Sequence, residues 1–597
     1  MTTPQQVYSE IKAGAAKEHT RWHRLHNRIS WLRLALFLAA ILFLYFALTR
    51  TETFLWFVLS GISFVLLVSL VYVSTFTTGK RDYFFRLKGL AQKELDALDF
   101  KFSEFPDGTE FFNTSHCYSS DIDLFGPGSL YQYINRTITP MGRQRLVDWL
   151  ESPCLDPAEL KARQEACIEL SGNPAWRLQF AASGQESESS DSYQLLAGWS
   201  QQPDLFKNHS FLLKIIRLWQ AFMMVLLLVV IFGMIPYQVL ILAALANLAI
   251  TGAFIGRINR TFRLFNKSFR ELDVYSNLIG KIRDSGFGTS WMSKRITALG
   301  TGESSAAMEM RKLQRLLHRF DSRNNLLVGF FRDALFLTDI DLVLLMEKWR
   351  SSNKNNINRW LDALGDADAM NSLAASAYNN PSYCYPEVVP DAFCFESKDL
   401  GHPLIKPGDR VCNTFSISSW HTLVVLTGAN MAGKSTFLRT VGVNMVLAHT
   451  GSPVCASSCR FSPVSLITSI RTNDSLIKHE SYFYAELKKL RFIVESLGQG
   501  REVFILLDEV LKGTNSNDKL NGSRILVSKL LGLKTSGIIA THDIALGEME
   551  KDFPGSIVNR CFEAQIEDGQ LVFDYKLREG AAKNMTALFL MKQMKIV

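Results

Sequence analysis

Four long apolar segments constrain the fold of this chain more than any other feature. They run from Leu34 to Thr49, from about Phe54 to Phe76, from Leu218 to Ile235 and from Tyr237 to Ile255, and none contains an acidic residue, a lysine or an arginine. A bilayer-spanning helix needs about 20 mostly apolar residues, whereas a helix buried in a soluble core usually keeps a polar face. The segments therefore predict four transmembrane helices.

The four segments pair as two hairpins, closed by short connections at 51–53 and 234–236. Basic residues crowd the outer flanks of both hairpins: Arg21, Arg24, Arg28, Arg33, Lys80, Arg81, Arg86, Lys88, Lys207, Lys214, Arg217, Arg257, Arg260, Arg263 and Lys267. By the positive-inside rule, both termini and both large soluble regions are cytoplasmic. We expect a multi-pass protein of the cell (inner, cytoplasmic) membrane. These flanks supply much of the net charge of +8, so that charge does not by itself indicate nucleic acid.

A glycine-rich motif follows a short apolar run near the middle of the second soluble region. Leu423 to Leu426 is rich in β-branched residues, which predicts a buried strand, and it leads into G-x-x-x-x-G-K-S. In a strand–loop–helix context this motif is typical of a P-loop, which binds phosphates through backbone N–H groups and a helix N-terminus. The expected ATP-binding residues are Gly428, Ala429, Asn430, Met431, Ala432, Gly433, Lys434, Ser435 and Thr436. Lys434 should reach the β- and γ-phosphates, and Ser435 should bind Mg²⁺.

Two further apolar runs also predict buried strands, and each ends in polar residues. The run 503–507 ends in Asp508 and Glu509, and the run 537–540 is followed by Thr541 and His542. Asp508 fits a carboxylate that holds Mg²⁺ through water, and Glu509 fits a group that polarises the attacking water. His542 is expected to contact the γ-phosphate. Together with Lys434, these residues predict an ATP hydrolase.

Several stretches resemble the MutS mismatch-repair family, a branch of the ABC-class ATPases. TGANMAGKST at 427–436 resembles the family's TGPNMGGKST, and DEVLKGT at 508–514 resembles its DEIGRGT. SYFYAE at 481–486 stands where the family has STFMxEM, 473–476 resembles its SDDL, and YKL at 575–577 with Gly580 resembles its YKLxxG. Gly128–Leu130 and TPMGR at 139–143 resemble the start of the family's core, or lever, domain.

The resemblance implies a fold and an assembly. The expected fold is an α/β P-loop NTPase domain of the ABC class, joined to a mainly α-helical core/lever domain and four transmembrane helices. ATP would be held between two subunits, with the Ser481 region of one facing the P-loop of the other, so a homodimer is expected. Ser481 also suits a helix N-cap, and the two roles are compatible.

These arguments divide the chain into five parts. They are 1–90 (N-terminal tail and first hairpin), 91–209 (first part of a MutS-like core), 210–260 (second hairpin), 261–385 (helical core/lever region) and 386–597 (MutS-like ATPase domain).

The sequence also departs from the family. Ala429 and Ala432 replace a Pro and a Gly of the family loop, while Leu511 and Lys512 replace a Gly and an Arg. The segment associated with adenine stacking appears only as Arg-Val-Cys-Asn at 410–413, so no adenine-contacting residue is assigned. Mismatch-repair members of the family have a mismatch-reading domain at the N-terminus, where this chain has the first hairpin. Phe-Ser-Glu at 102–104 matches the Phe-x-Glu motif of that domain, but the domain itself is not recognisable around it.

The substrate stays open between hypotheses. The stretch from Met310 to Arg323 is basic with helical apolar spacing, which suits a helix that follows DNA phosphates or a packed helix with a solvated face. One hypothesis is a membrane-anchored MutS-type ATPase that binds mismatched or branched DNA. A second is an ATP-driven dimeric clamp that acts on a membrane or an unknown protein partner without DNA. An ABC transporter is disfavoured, because the chain lacks a Leu-Ser-Gly-Gly-Gln signature.

Overall fold

A computed structural model describes most of the chain. The described residues are 3–49, 53–184, 191–203, 206, 209–265, 269–300, 302, 305–321, 326–390, 392–429, 431–471, 482–512, 515–567 and 570–582. Asn430, Ser481, Thr514 and the stretch 473–476, which the sequence analysis singled out, lie outside them.

The chain begins with two antiparallel helices, α1 (Pro4–Thr49) and α2 (Thr53–Leu98). Each is 46 residues long, much longer than the apolar segments at 34–49 and 54–76. The additional turns are polar, and those of α1 pack against those of α2. In one such contact, Lys12 Nζ donates to Gln92 Oε1 at 2.5 Å. Because α2 continues to Leu98, it crosses the expected domain boundary at 90. We call the paired polar parts, residues 4–33 and 77–98, the stalk.

The helical core follows in two series that flank the second apolar hairpin. The first series is α3 (Leu130–Ile134), α4 (Pro140–Glu151), α5 (Pro157–Ser171), α6 (Pro174–Gly184) and α7 (Asp191–Ser200). The hairpin is α8 (His209–Ile231) and α9 (Tyr237–Phe265). The second series is α10 (Phe269–Arg283), α11 (Ser290–Ala298), α12 (Ala306–Asp321), α13 (Leu326–Phe336) and α14 (Thr338–Asn379). The third apolar segment, expected to reach Ile235, stops being helical at Ile231, because the chain turns through Gly233 (φ +71°) before Pro236.

Among the described residues, four helices are long and apolar enough to cross a bilayer: α1, α2, α8 and α9. Their most apolar windows are only 6–11% buried within the protein. Two polar side chains inside α8 and α9 are paired: Trp219 Nε1 donates to Asn247 Oδ1 (2.8 Å), and Asn247 Nδ2 donates to the Ala334 carbonyl of α13 (2.9 Å). The buried hydroxyl of Thr251 in α9 has no partner among the described residues. The exposed apolar surface and the paired Trp219 and Asn247 are compatible with membrane spans.

Helix α14 is the central element of the core, with 42 residues that contact α4, α5, α8 and α9. It ends at Asn379, two residues before Pro381, whose ring cannot continue a helix. The helices α4 and α14 approach closely at two glycines, since a Cβ on Gly142 would lie 2.1 Å from Asp368 Oδ2 and one on Gly365 would lie 3.0 Å from the Met141 carbonyl. Asp368 accepts hydrogen bonds from Thr139 N (2.8 Å) and Thr139 Oγ1 (2.7 Å) at the start of α4.

The C-terminal domain contains two sheets. The six-stranded sheet has the order β10-β9-β4-β8-β7-β6, with β10 antiparallel to β9 and the other neighbours parallel. The four-stranded sheet has the order β1-β5-β2-β3. The strands are β1 (Glu387–Val388), β2 (Phe395–Leu400), β3 (Asn413–Ile417), β4 (Leu423–Gly428), β5 (Ser458–Phe461), β6 (Ser465–Ser469), β7 (Val503–Asp508), β8 (Thr535–Thr541), β9 (Ile557–Glu567) and β10 (Gln570–Glu579). The helices are α15 (Lys434–Thr450), α16 (Tyr482–Gly498), α17 (Ser516–Leu531) and α18 (Ile544–Gly547).

The three apolar runs that were predicted as strands are strands, with longer bounds. They form β4, β7 and β8, which are neighbours in the sheet. Because these strands are parallel and in register, with Thr427 opposite Thr541 and Ala540 opposite Asp508, their carboxyl ends meet at one edge. The loops after these strands, which carry the predicted phosphate-binding and catalytic residues, therefore lie side by side.

A buried carboxylate joins the core to this domain. Asp121 precedes α3 and is fully buried. It accepts hydrogen bonds from Thr468 Oγ1 (2.7 Å), Ile470 N (3.1 Å) and Lys489 Nζ (2.8 Å). The core therefore contacts β6 and α16 through a charge-assisted network.

Candidate nucleotide-binding site

A cavity of about 400 Å³ lies at the carboxyl end of β4. One wall is the glycine-rich loop with the start of α15, including Met431, Gly433 and Lys434. The opposite wall is mainly apolar and aromatic, with Ile405, Val411, Phe437, Phe562 and Tyr575. Such a combination of a polar end and an apolar wall is typical of small-molecule sites.

Two glycines give the loop its shape. Gly433 has φ +104°, a backbone conformation that favours glycine, and it directly precedes Lys434 at the start of α15. A Cβ on Gly428 would lie 2.6 Å from the Phe562 carbonyl of β9. The helix α15 begins at Lys434, within the motif, so its N-terminus faces the cavity.

The Lys434 ammonium is held inside the loop. Its Nζ lies 2.8 Å from the carbonyls of Gly428 and Ala429 and 3.2 Å from His542 Nδ1. Burial lowers the pKa of Lys434 to about 8. Within the described part of the chain, no carboxylate contacts this cation directly, so the loop suits an anionic ligand.

Ser435 and Asp508, the two residues expected to bind Mg²⁺, are in contact. Ser435 Oγ donates to Asp508 Oδ2 at 2.5 Å. A hydroxyl and a carboxylate are hard oxygen ligands of the kind Mg²⁺ prefers, so the pair fits this ion. Within the described ranges there is no group of three His, Cys, Asp or Glu side chains that could hold a metal alone. Mg²⁺ would accordingly take its remaining ligands from phosphate oxygens and water, as is usual for this ion at nucleotide sites.

Glu509 and His542 form a pair at the ends of β7 and β8. Glu509 adopts φ +50°, and its N–H donates to the Ala540 carbonyl at 2.8 Å, which turns its side chain towards the cavity. His542 Nε2 contacts Glu509 Oε1, and this hydrogen bond lowers the pKa of Glu509 to about 2. If Nε2 carries the proton, Nδ1 is free to accept from Lys434 Nζ, so the neutral Nε2–H tautomer satisfies both neighbours.

Glu486 is a site residue whose role the sequence analysis missed. It is buried on α16, and its carboxylate accepts hydrogen bonds from Leu511 N (2.5 Å) and Lys512 N (3.2 Å). Burial raises the pKa of Glu486. The side chain thereby fixes the turn that follows Glu509, in which Leu511 has φ +62°. Its place at the end of the SYFYAE stretch was the available signal.

Tyr575 is a second residue that lacked an assignment. It adopts φ +53° at a bulge of β10, and a Cβ on Gly433 would lie 3.1 Å from its ring. Asn413 holds this bulge, since its Nδ2 donates to the Tyr575 carbonyl (3.0 Å) and its Oδ1 accepts from Leu577 N (2.8 Å). Arg410 instead donates to the Ile405 carbonyl, at 2.7 Å from Nη2. The 410–413 segment thus supports the cavity wall, and Tyr575 is the aromatic ring beside the loop.

Comparison with known protein families decides the affiliation. Residues 424–595 match the family model of MutS domain V, and residues 113–227 match that of MutS domain III. The chain belongs to the MutS family. The resemblance predicted from the motifs is therefore confirmed.

The relatives include three bacterial proteins named DNA mismatch repair protein MutS. The protein of Fusobacterium nucleatum is 30% identical over 236 residues, which is 38% of this chain and 26% of that protein. Those of Aquifex pyrophilus and Persephonella marina are 34% and 32% identical over 226 and 231 residues, covering 37% and 38% of this chain and 26% of each relative. This MutS-family chain spans about a quarter of the length of the curated relatives it matches.

The family matches divide the molecule unevenly. The domain V match contains Lys434, Ser435, Asp508, Glu509 and His542. The domain III match extends into α8, the third apolar helix. The helices α1, α2 and α14 lie outside both matched ranges, so the stalk and the central helix of this MutS-family chain are not covered by the comparison.

Proposed function

We propose that this chain is a membrane-anchored MutS-type ATPase that binds DNA in an ATP-dependent manner, in a process related to mismatch repair. The observation that carries the proposal is the convergence of Lys434, the Ser435–Asp508 pair and the Glu509–His542 pair at the edge formed by β4, β8 and β7. A cation, hard oxygen ligands and an ionised carboxylate are the groups that phosphoryl transfer to water needs.

For ATP binding, we assign the phosphates to the loop 428–436 and the base to the apolar wall. Lys434 exchanges its contacts with the Gly428 and Ala429 carbonyls for phosphate oxygens. Because phosphate oxygens are charged and these carbonyls are not, the exchange is favourable. The Tyr575 ring and Phe562 supply the surface on which the base packs. When bound, Mg²⁺ neutralises charge on the phosphates.

For hydrolysis, we assign Glu509 to orient and polarise the attacking water. With a pKa of about 2 its carboxylate is ionised across the physiological range. The hydrogen bond from His542 Nε2 makes it a weak base, so weakening this bond when ATP is bound increases its basicity. Glu486 keeps the turn after Glu509 in place, and His542 lies between Glu509 and the loop.

The proposed assembly is a homodimer in the cell membrane. The family resemblance puts the Ser481 region of each subunit against the P-loop of the other. The exposed apolar surfaces of α1, α2, α8 and α9 support a bilayer as their surroundings, with the stalk, the core and the ATPase domain in the cytoplasm.

The surface around α12 supports DNA as the substrate. Its apolar side chains Met310, Leu313 and Leu317 are fully buried, whereas Lys312 and Arg315 are exposed. These basic residues border an open cavity of about 1000 Å³, which α14 closes with Lys348 on its far side. Basic side chains spread over two helices are suited to non-specific contact with phosphates.

The test is DNA binding by the full-length protein in detergent, with perfect, mismatched and branched duplexes over a range of salt. We expect binding that needs ATP and weakens steeply with salt. The double variant Lys312→Gln, Arg315→Gln should reduce the slope of the logarithm of the binding constant against the logarithm of salt concentration by about two. Lys161→Gln, an exposed lysine of α5, is the control. ATP hydrolysis without DNA binding at low salt favours the second hypothesis, an ATP-driven clamp on a membrane or protein partner. Absence of adenine-nucleotide binding overturns both.

A further inference from the structure

A further cavity, which we call the junction cavity, lies where the stalk meets the core. Its volume is about 280 Å³, and it shares no lining residue with the nucleotide cavity. The stalk contributes Tyr8 and Glu94, and the core contributes Arg143 of α4, Arg177 of α6 and Asn371 of α14. The cavity is therefore bordered by five helices: α1, α2, α4, α6 and α14.

Positive charge exceeds negative charge in its lining. Arg136 Nε pairs with Glu94 Oε1 at 2.6 Å, and Asn379 Nδ2 donates to the other Glu94 oxygen at 2.8 Å. Both oxygens of the buried carboxylate are thus already used. At the rim, Lys93 pairs with Glu104 at 3.7 Å. Outside the cavity, Arg143 Nη1 lies 3.8 Å from Glu110 Oε1. Arg177 has no carboxylate partner within the described part of the chain.

Arg177 is the unusual member of this set. Its side chain is buried, with 4% of the residue exposed, and its Nε and Nη2 have no hydrogen-bond partner within the described part of the chain. The centroid of the Tyr378 ring lies 5.0 Å from its Cζ. Tyr8, also in the wall, donates its hydroxyl hydrogen to Asn379 Oδ1 (2.8 Å), and its oxygen also interacts with the Arg177 guanidinium. Because a buried guanidinium without a paired anion is unfavourable, an anionic ligand would stabilise Arg177.

Two further polar atoms of the lining share this property. Arg143 Nε and Asn371 Oδ1 are buried and likewise have no partner among the described residues. The guanidinium groups of Arg177 and Arg143 can bind an anion, and the amide oxygen of Asn371 can accept a hydrogen bond from a hydroxyl or N–H group. Guanidinium groups bind phosphate particularly well because their planar forks match its oxygens. The volume is near the lower end of small-molecule sites.

We propose that the junction cavity binds the phosphate group of a small soluble phosphate ester, with Arg177 and Arg143 on the phosphate and Asn371 on a ligand hydroxyl. A lipid headgroup does not fit the position. Tyr8 precedes Leu34, the first residue of the apolar segment, by 26 residues of continuous helix, which is about 39 Å along the axis. The ligand therefore comes from the aqueous phase.

The bound phosphate would connect α4, α6 and α14 at the point where the stalk docks. It supplies the missing negative charge and so stabilises this joint between the stalk and the core. The site is independent of the proposed ATPase activity, since it depends on neither the P-loop nor a second subunit.

The experiment uses the full-length protein in detergent with Lys434→Ala, which removes phosphate binding at the P-loop. Binding of inorganic phosphate and of glycerol phosphate is measured by isothermal titration calorimetry. Saturable binding is expected, and Arg177→Met should weaken it by about 10- to 100-fold, the effect of losing hydrogen bonds to a charged group. Asn371→Asp keeps the size of the side chain but brings a carboxylate beside the arginines, so it should abolish binding and raise the apparent Tm.

Lys161→Gln is the matched control and should bind like the parent. Vesicles of phosphatidylglycerol should not compete with glycerol phosphate, and competition would assign the site to lipid and contradict the proposal. The proposal also fails if the Lys434→Ala protein binds neither probe at millimolar concentration, or if Arg177→Met and Asn371→Asp both leave the affinity unchanged. Because Asn371→Asp preserves volume, it remains informative even if Arg177→Met does not fold.

Discussion

The ATPase domain and the α1–α2 pair place their apolar side chains in opposite ways. In the six-stranded sheet, β4 and β8 are buried along their whole length, and polar groups appear only where the strands end. In the segments 34–49 and 54–76 of α1 and α2, most large apolar side chains are exposed, and the contact between the helices includes polar bonds such as Arg33 Nη1 to Ser74 Oγ (3.1 Å). The first pattern is typical of a domain surrounded by water, and the second is compatible with an apolar solvent. If these segments span a membrane as proposed, the candidate nucleotide site lies in the aqueous part of the chain.

The largest expected effect concerns the aqueous part. Lys434→Ala should weaken nucleotide binding by about 100-fold or more, because the only cation inside the loop that the described residues provide is removed. Binding of a fluorescent ATP analogue in detergent measures this, with Lys161→Ala as the control. Unchanged affinity would mean that the nucleotide does not bind at the end of β4.

The next effect separates binding from hydrolysis. Glu509→Gln should retain ATP affinity but lose about 100- to 1,000-fold in hydrolysis rate, since the amide cannot polarise water. It should also accumulate as the ATP-bound dimer in size-exclusion chromatography. Hydrolysis at the parental rate would show that another group positions the water.

A third prediction tests the apolar region directly. Val65, in the middle of the second apolar segment, is 64% exposed. Val65→Arg should impair membrane insertion by about 3 kcal/mol, whereas Val65→Leu should have no effect. Extraction of membranes at alkaline pH measures the inserted fraction. If the arginine variant is retained like the parent, α2 does not cross the bilayer and the contrast between the two regions disappears.

A smaller effect is expected at the turn after Glu509. Glu486→Gln replaces one of two acceptor oxygens by an NH₂ group, which then faces the N–H of Leu511 or Lys512. We expect the turn to be destabilised by about 1–2 kcal/mol. The kcat should therefore fall about tenfold, while the nucleotide affinity stays unchanged. Steady-state kinetics give both quantities. Equal loss of affinity would indicate a general structural role for Glu486.

The smallest effect on nucleotide binding and hydrolysis is expected at the centre of the core, where one carboxyl group makes stability depend on pH. Burial raises the pKa of Asp368 to about 7 from an ordinary value of 3.8. Between these values the folded protein holds a proton that the unfolded chain has released, so this group's contribution to stability falls as pH rises from about 4 to 7. Asp368→Asn should be less stable but should lose this slope in apparent Tm. A parallel pH profile of the variant would exclude Asp368 as its cause.

Local sequence determined which parts could be predicted. The loop 428–436 and the carboxylates at 508 and 509 follow strands whose apolar runs are continuous. A short stretch of sequence therefore predicts both the strand and the site residues that follow it. Glu486 could not be assigned in the same way, because its partners Leu511 and Lys512 lie 25 and 26 residues away in sequence. The stalk was missed because residues 4–33 are polar, and their helix depends on packing against 77–98 rather than on a local apolar pattern. The junction cavity likewise joins positions such as Tyr8, Arg177 and Asn371, which no local pattern connects.

The length of α14 gives this molecule a mechanical property. A helix of 42 residues is about 63 Å long, and it touches α8 and α9 near one end and the stalk near the other, where its last residue, Asn379, meets Tyr8. If such a rod pivots by about 10°, one tip sweeps about 11 Å relative to the other. If α8 and α9 span a bilayer as proposed, a modest rotation of α14 would be enough to move the second hairpin relative to the first in the plane of that bilayer.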